Sequence, residues 1–149
     1  LNTALPTFTF ELSYLKNGVE KIGWLLDENK ITTHYFLIVG IYANDATDLK
    51  KGFKEAKIIS VDRNKLLVFL DNIGLGSTKL IAYSQKVRLS EKCERKTTID
   101  ELFMKTQGCL YFSEQLDEKP IRLQLRLNVL VENGIGKVIC PVYKTKKRS

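Results

Sequence analysis

Few of the side chains that do covalent chemistry in proteins stand at spacings in this chain where they could work together. His34 is the single histidine, so a Ser-His-Asp or Cys-His relay would have to run through it. It lies inside the run Thr33-His34-Tyr35-Phe36-Leu37-Ile38-Val39 with no acidic neighbour in sequence to orient its ring, which favours a structural role. No HExxH or EF-hand spacing is present, nor a carboxylate pair that stands apart from surface charge. Gly74-Leu75-Gly76-Ser77-Thr78-Lys79 has the composition of a phosphate loop. Its spacing is not GxxxxGK[ST], and Leu80-Ile81-Ala82-Tyr83-Ser84 reads as a strand in place of the helix whose N-terminus would hold phosphate. Gly134-Ile135-Gly136-Lys137 fails the same test and suits a hairpin. Cys93, Cys109 and Cys140 are far apart, odd in number and form no CxxC pair, which points to a reducing compartment and away from structural zinc or disulfides. The expectation is a chain that is not an enzyme and carries no metal or cofactor.

Charge offers a second kind of chemistry. The net charge is +7, from 24 Lys and Arg against 17 Asp and Glu. Part of the excess sits in a C-terminal basic tail, 144–149, that holds Lys144, Lys146, Lys147 and Arg148. Elsewhere basic residues are interleaved with acidic ones. Arg122 and Arg126 project from one face of a strand opposite its leucines, a face that is usually just solvated. With Lys79, Lys86 and Arg88 they form the candidate set for nucleic-acid contact.

The elements that must position these groups are mainly strands. Phe8, Phe10, Leu12 and Tyr14 alternate with Thr9, Glu11 and Ser13 at a period of two. Asn17-Gly18 signals a two-residue hairpin turn that returns through the segment 21–27. A third apolar run spans 33–42, and the polar stretch 42–49 has room for one helical turn. The segment 53–89 reads as short strands broken by turns: 54–61, 66–71 and 79–84, with turns at 62–65 and 72–77. A charged linker at 90–95 leads to a short helix over 97–104, capped by Thr97 or Thr98 and ended by Gly108. Ile121, Leu123, Leu125, Leu127 and Val129 then alternate with polar residues, and Asn133-Gly134 supplies a second hairpin. Hydrophobic content of 44% fits a globular protein. No run reaches the roughly 18 apolar residues of a membrane span. The chain opens Leu1-Asn2-Thr3 without an initiator methionine, as a segment of a longer protein would.

Over 50–89 the order is an aromatic–x–x–Ala strand, a turn, the Val-aromatic-x-Asp sequence Val68-Phe69-Leu70-Asp71, and a Gly-containing loop. That order resembles the Tudor family. The flanks resemble, by strand order alone, the OB-like or staphylococcal-nuclease-like lobe of an extended Tudor module. The resemblance implies one module over 1–149: an SH3-like Tudor barrel core at 50–90, a companion β-rich lobe from 1–49 and 91–143, and one short helix. The long helix that usually joins lobe to barrel is not evident between Tyr42 and Lys50.

Tudor domains hold methylated arginine or lysine among aromatic faces, since each π face attracts the cation. Phe53 and Phe69 match two cage positions, but Lys54 stands where the family has a tyrosine and would repel the ligand's charge. Asn72 replaces a second tyrosine, and the asparagine that would bond a guanidinium falls on Gly74. The resemblance therefore implies a peptide site at Phe53, Lys54, Phe69, Asp71, Asn72 and Gly74 with a degenerate cage. It implies a cytoplasmic scaffold module of small-RNA pathways or ribonucleoprotein granules, with the nucleus as the other setting. Its partner would be an Argonaute or PIWI-class protein or another scaffold subunit, and RNA would come second. The competing expectation is an RNA- or single-strand-binding β-barrel. Methylated-arginine peptides are expected to bind no more tightly than unmethylated ones. Calorimetry on paired peptides checks this, and a tenfold preference for the methylated form, about 1.4 kcal/mol, would contradict it.

Overall fold

Asn17 and Gly18 take φ values of 52° and 75°, the two positive angles of a turn whose twist matches its flanking strands. They join β1 (Thr7–Lys16) to β2 (Val19–Ile22) as an antiparallel hairpin. The computed structural model describes residues 5–92 and 94–140. The N-terminal Leu1-Asn2-Thr3, Cys93, the Cys140 side chain and the basic tail lie outside the described residues. β2 ends earlier than the segment 21–27 suggested. At Gly23 the chain crosses β1 so closely that a Cβ would collide with the Glu11 carbonyl, and Leu25 and Leu26 then turn into the core.

The protein is mostly β, in two antiparallel sheets. The larger has the order β2-β1-β7-β6-β5, with β5 (Lys96–Thr97), β6 (Gly108–Phe112) and β7 (Ile121–Arg126). The expected alternation is present in β7, where Ile121, Leu123 and Leu125 are buried and Arg122, Gln124 and Arg126 half-exposed. It stops there: Leu127 and Val129, expected to continue the strand, belong to a helix over Leu127–Glu132. The smaller sheet has the order β3-β4-β8, formed by β3 (His34–Ala43), β4 (Phe53–Asp62) and β8 (Gly136–Cys140). Between β3 and β4 the polar stretch does contain a single 3-10 turn, Leu49–Lys51, whose N-cap Asp48 accepts a hydrogen bond from the Lys50 N–H.

The segment 50–90 corrects the sequence reading. It forms one strand, β4, followed by α1 (Arg63–Asn72) and α2 (Ser77–Leu89), so the expected short strands at 66–71 and 79–84, and the barrel core they would build, are absent. Asp62, read as part of a turn, is the N-cap of α1 and accepts from the Lys65 N–H at 2.9 Å. Leu66 and Leu70 are buried four residues apart, as are Leu80 and Ser84 in α2, with Ile81, Tyr83 and Val87 packed alongside. A short apolar run such as 66–70 does not distinguish strand from helix by composition; the i, i+4 spacing does.

Two further expectations change in the same way. Residues 97–107 make β5 and successive turns with an Ile99–Leu102 bridge instead of a helix, and Gly108 opens β6. Asn133-Gly134 ends α3 (Leu127–Glu132), with Asn133 at the C-cap and Gly134 at φ 69°, the left-handed position that follows many helices. No single helix among the described residues is long and apolar enough to cross a membrane.

One hydrophobic cluster joins both sheets to the helices: Phe10, Leu123 and Leu125 from the larger sheet, Leu37, Ile59 and Val61 from the smaller, and Leu66, Leu70 and Leu80 from α1 and α2. In a strand, residues 80 and 82 would share a face; in α2 Leu80 is buried and Ala82 exposed. Leu80→Ala is therefore expected to lower the unfolding free energy by about 2–5 kcal/mol. Ala82→Gln should change it by less than about 0.5 kcal/mol. Urea unfolding of the two variants checks the pair.

Candidate functional site

Because paired residues in a sheet share a face, the register of the larger sheet fixes which side chains stand together. Lys96, Tyr111, Arg122 and Glu11 form one row across β5, β6, β7 and β1. Cys109, Gln124 and Thr9 form the next, and Arg126 beside Thr7 the last. The opposite face carries Phe10, Leu110 and Leu123 into the core, where α2 packs on β1 and β7. The outer face is thus polar, with cations along its middle and one edge.

The electrostatics of this face are set by few acids. The Arg95 guanidinium lies 5.3 Å from the centre of the half-buried Tyr111 ring, a cation–π contact. Arg122 donates through Nη1 to the Ser113 hydroxyl at 3.2 Å. The Nε of Arg126 is buried and has no partner among the described residues. Burial pushes the Glu11 carboxyl above its ordinary pKa, while Arg122 beside it and the Trp24 backbone N–H pull the other way. A cleft of about 170 Å³ opens in the face, lined by Thr7, Lys96, Met104, Cys109, Gln124 and Arg126. Cys109 at its floor is 1% exposed, and burial raises its thiol pKa. Its Sγ stands 3.7 Å from the Gln124 Oε1, so this thiol is a packed side chain and not a thiolate nucleophile.

The residues proposed from sequence fall in three places. Phe53 and Lys54 start β4, whereas Phe69, Asp71 and Asn72 belong to the end of α1, which begins beyond the other end of that strand. A ten-residue strand spans about 30 Å, and the helical rise to Phe69 recovers at most about 10 Å of it. The two aromatics are therefore at least roughly 20 Å apart along the backbone path and share no cage. Phe69 packs against the core. Asp71 folds over the next loop, where a Cβ at Gly76 would sit 2.6 Å from its Oδ1, and Gly74 takes the positive φ of a helix end.

The cationic set also divides. Lys79, Lys86 and Arg88 lie on α2, on the core side of the larger sheet, while Arg122 and Arg126 occupy its outer face. Lys79 pairs with Glu101 at 3.5 Å and lies over the Tyr83 ring. Arg88 donates to the Ser13 hydroxyl and the Lys119 carbonyl and pairs with Glu20. These two cations are engaged within the fold. Arg95, Lys96, Tyr111 and Gln124 were missed. Gln124 follows from the β7 alternation alone, but the others join it only through strand pairing.

Pairing also supplies an acid that His34 lacks in sequence. His34 stands opposite Asp62, Nε2 to Oδ2 3.7 Å, at the mouth of a cleft of about 460 Å³. The N-cap bond from the Lys65 N–H holds the Asp62 carboxyl below its usual pKa. The histidine's Nδ1 lies 3.1 Å from the hydroxyl of its sequence neighbour Thr33. Among the described residues no three His, Cys, Asp or Glu side chains are grouped to hold a metal ion.

No protein-family model, curated protein or solved structure matches this chain. The raised pKa of Glu11 carries its own sign. The folded state prefers the protonated acid, so ionising Glu11 lowers stability as pH rises through the carboxylate range, and the loss stays constant above it. Glu11→Gln removes that loss. The stability difference is expected to shift in favour of the variant between about pH 4 and pH 7, measured as urea midpoints at each pH.

Proposed function

We propose that the chain is a non-catalytic binding module whose larger sheet contacts single-stranded nucleic acid through its outer face. One observation carries this reading: Arg122 and Arg126 project from β7, the central strand of five, beside Lys96 and the Arg95–Tyr111 pair. Cations track a phosphate backbone, and the half-buried Tyr111 ring beside them offers a face on which a base can stack. Gln124 between the arginines adds an amide that can both donate and accept at a base edge. An open sheet face suits a strand laid across it, as a duplex groove would instead ask for an inserted helix or ribbon.

The Tudor resemblance suggested a different role, capture of an Argonaute or PIWI-class partner at 69–74. Such capture needs a strand end there. The last turn of α1 occupies it instead, so the geometric support does not transfer.

The test is fluorescence anisotropy with a labelled single-stranded oligonucleotide over a salt series. Four contributing cations give a slope of log K against log salt near −3, since each neutralised phosphate contributes about −0.7 on a single strand. Arg122→Ala and Arg126→Ala should each weaken binding and reduce the slope by about 0.7. Tyr111→Ala should cost about 1–3 kcal/mol with the slope unchanged, because stacking releases no counterion. Binding that survives the double arginine variant but is lost in Lys86→Ala would move the contact to α2.

A further inference from the structure

Building on the single-strand reading of the same face, we propose that its cleft seats one base of the strand and selects keto bases, guanine and uracil, over the amino bases adenine and cytosine. The cleft measures about 170 Å³, well below the ~300 Å³ at which pockets for drug-sized ligands begin. It has room for one base. Pro6 and Met104 give it apolar lining for a ring, and no Asp or Glu lines it.

Its polar side chains are arranged to donate, and Gln124 decides this. An amide can both donate and accept. Here the Cys109 thiol at the floor donates to the Gln124 Oε1, with Sγ and Oε1 3.7 Å apart. Burial raises that thiol's pKa and keeps the proton on sulfur. The acceptor end of the amide is therefore engaged, and its Nε2 has no partner among the described residues. Lys96 and Arg126, which line the same cleft, add positive charge. Both pull the Cys109 pKa down against burial, so their field reaches the floor. Among the described residues neither joins an ion pair; the pairs are His34–Asp62, Lys51–Asp45, Lys79–Glu101 and Arg88–Glu20. The Pro6 carbonyl already accepts the Leu127 N–H at 3.0 Å, and the Thr7 hydroxyl can play either part.

A base is read by the edge it turns inward. Guanine offers the acceptors O6 and N7 there, and uracil, like thymine, the O4 carbonyl. Adenine and cytosine carry amino donors at the equivalent positions. A carbonyl in the cleft accepts from the Gln124 Nε2 and is favoured by the field of the two cations. An amino group would leave the Nε2–H unpaired and set its own N–H bonds against positive charge, which is costly out of water. Gln124 is thus a specificity-determining residue, and Cys109 is a positioning residue that acts through it.

Fluorescence anisotropy of the whole chain with labelled strands of about eight nucleotides, at one salt concentration, tests this. Oligouridine should bind at least about fivefold tighter than oligocytidine. A cytidine strand with one central guanine should exceed the same strand with a central adenine by at least about fivefold as well. Gln124→Leu should bring both ratios within about twofold of unity, with the salt slope unchanged because no cation is lost. Cys109→Ala releases the amide and should lower both ratios, whereas Cys109→Ser keeps a hydroxyl donor and should preserve them. Equal affinity whatever the base, a preference for cytidine or adenine, or a preference that survives Gln124→Leu would each overturn the proposal and leave the single-strand reading standing. Absence of binding to every strand would overturn both.

Discussion

Strand β7 works as a two-sided wall, and most of the molecule is arranged around that constraint. Its position in the middle of the larger sheet leaves no edge through which either face could adjust. Ile121, Leu123 and Leu125 are fully buried, and the residues between them are held outward by the pleat. A slip of one residue would carry three charged or amide side chains into the core and expose three large aliphatic ones. The approach of β6 is fixed as closely: a Cβ at Gly108 would collide with the Gln124 carbonyl. Core and outer face are therefore two results of one register.

The helices complete the core that the sheets leave open. Leu66 and Leu70 from α1, Leu75 from the connecting loop, and Leu80 from α2 are each at most 1% exposed within the shared cluster. A polar network anchors the same helices. The Ser13 and Ser84 hydroxyls lie 2.6 Å apart in the interior, and Arg88 reaches the first of them at 2.8 Å. Arg63 donates to the carbonyls of Leu25 and Asp27, tying the start of α1 to the crossing segment. Buried polar contacts of this kind specify one arrangement more than they add net stability.

The two outward sheet faces differ in chemistry because their strands differ in composition at the same alternate positions. Arg122, Gln124 and Arg126 make the larger sheet hydrophilic outside, as expected for an antiparallel sheet with one solvated face. Phe36, Ile38 and Ile58 give the smaller one an apolar patch beside the His34–Asp62 pair and the Ser60–Lys137 pair. A polar face can hold a charged ligand without desolvating the core, whereas an exposed apolar edge is stabilised by covering it.

Sequence alone determined the parts whose physics is local. Asn17-Gly18 had to turn because both residues accept positive φ, and β1 and β7 had to expose one face because their alternation has a period of two. Asp48 and its neighbours announced a capped turn for the same reason. Helix α1 was also written locally, in the Asp62 cap and the i, i+4 pair Leu66 and Leu70, whereas α2 has no side-chain cap and buries Leu80 with Ser84. They read as strands because a five-residue apolar run with turn residues on both sides satisfies either template. Other features depended on chain segments distant in sequence. Pairing brought Asp62 to His34 and set Lys96 and Tyr111 beside Arg122. Packing turned Arg88 toward Ser13, Glu20 and Lys119 and set the half-buried Arg122 and Arg126 on the outer face of the larger sheet, although all three look alike as basic residues among aliphatic ones. Which charge is spent inside the protein, and which stays available to a partner, is decided by the neighbours that folding supplies.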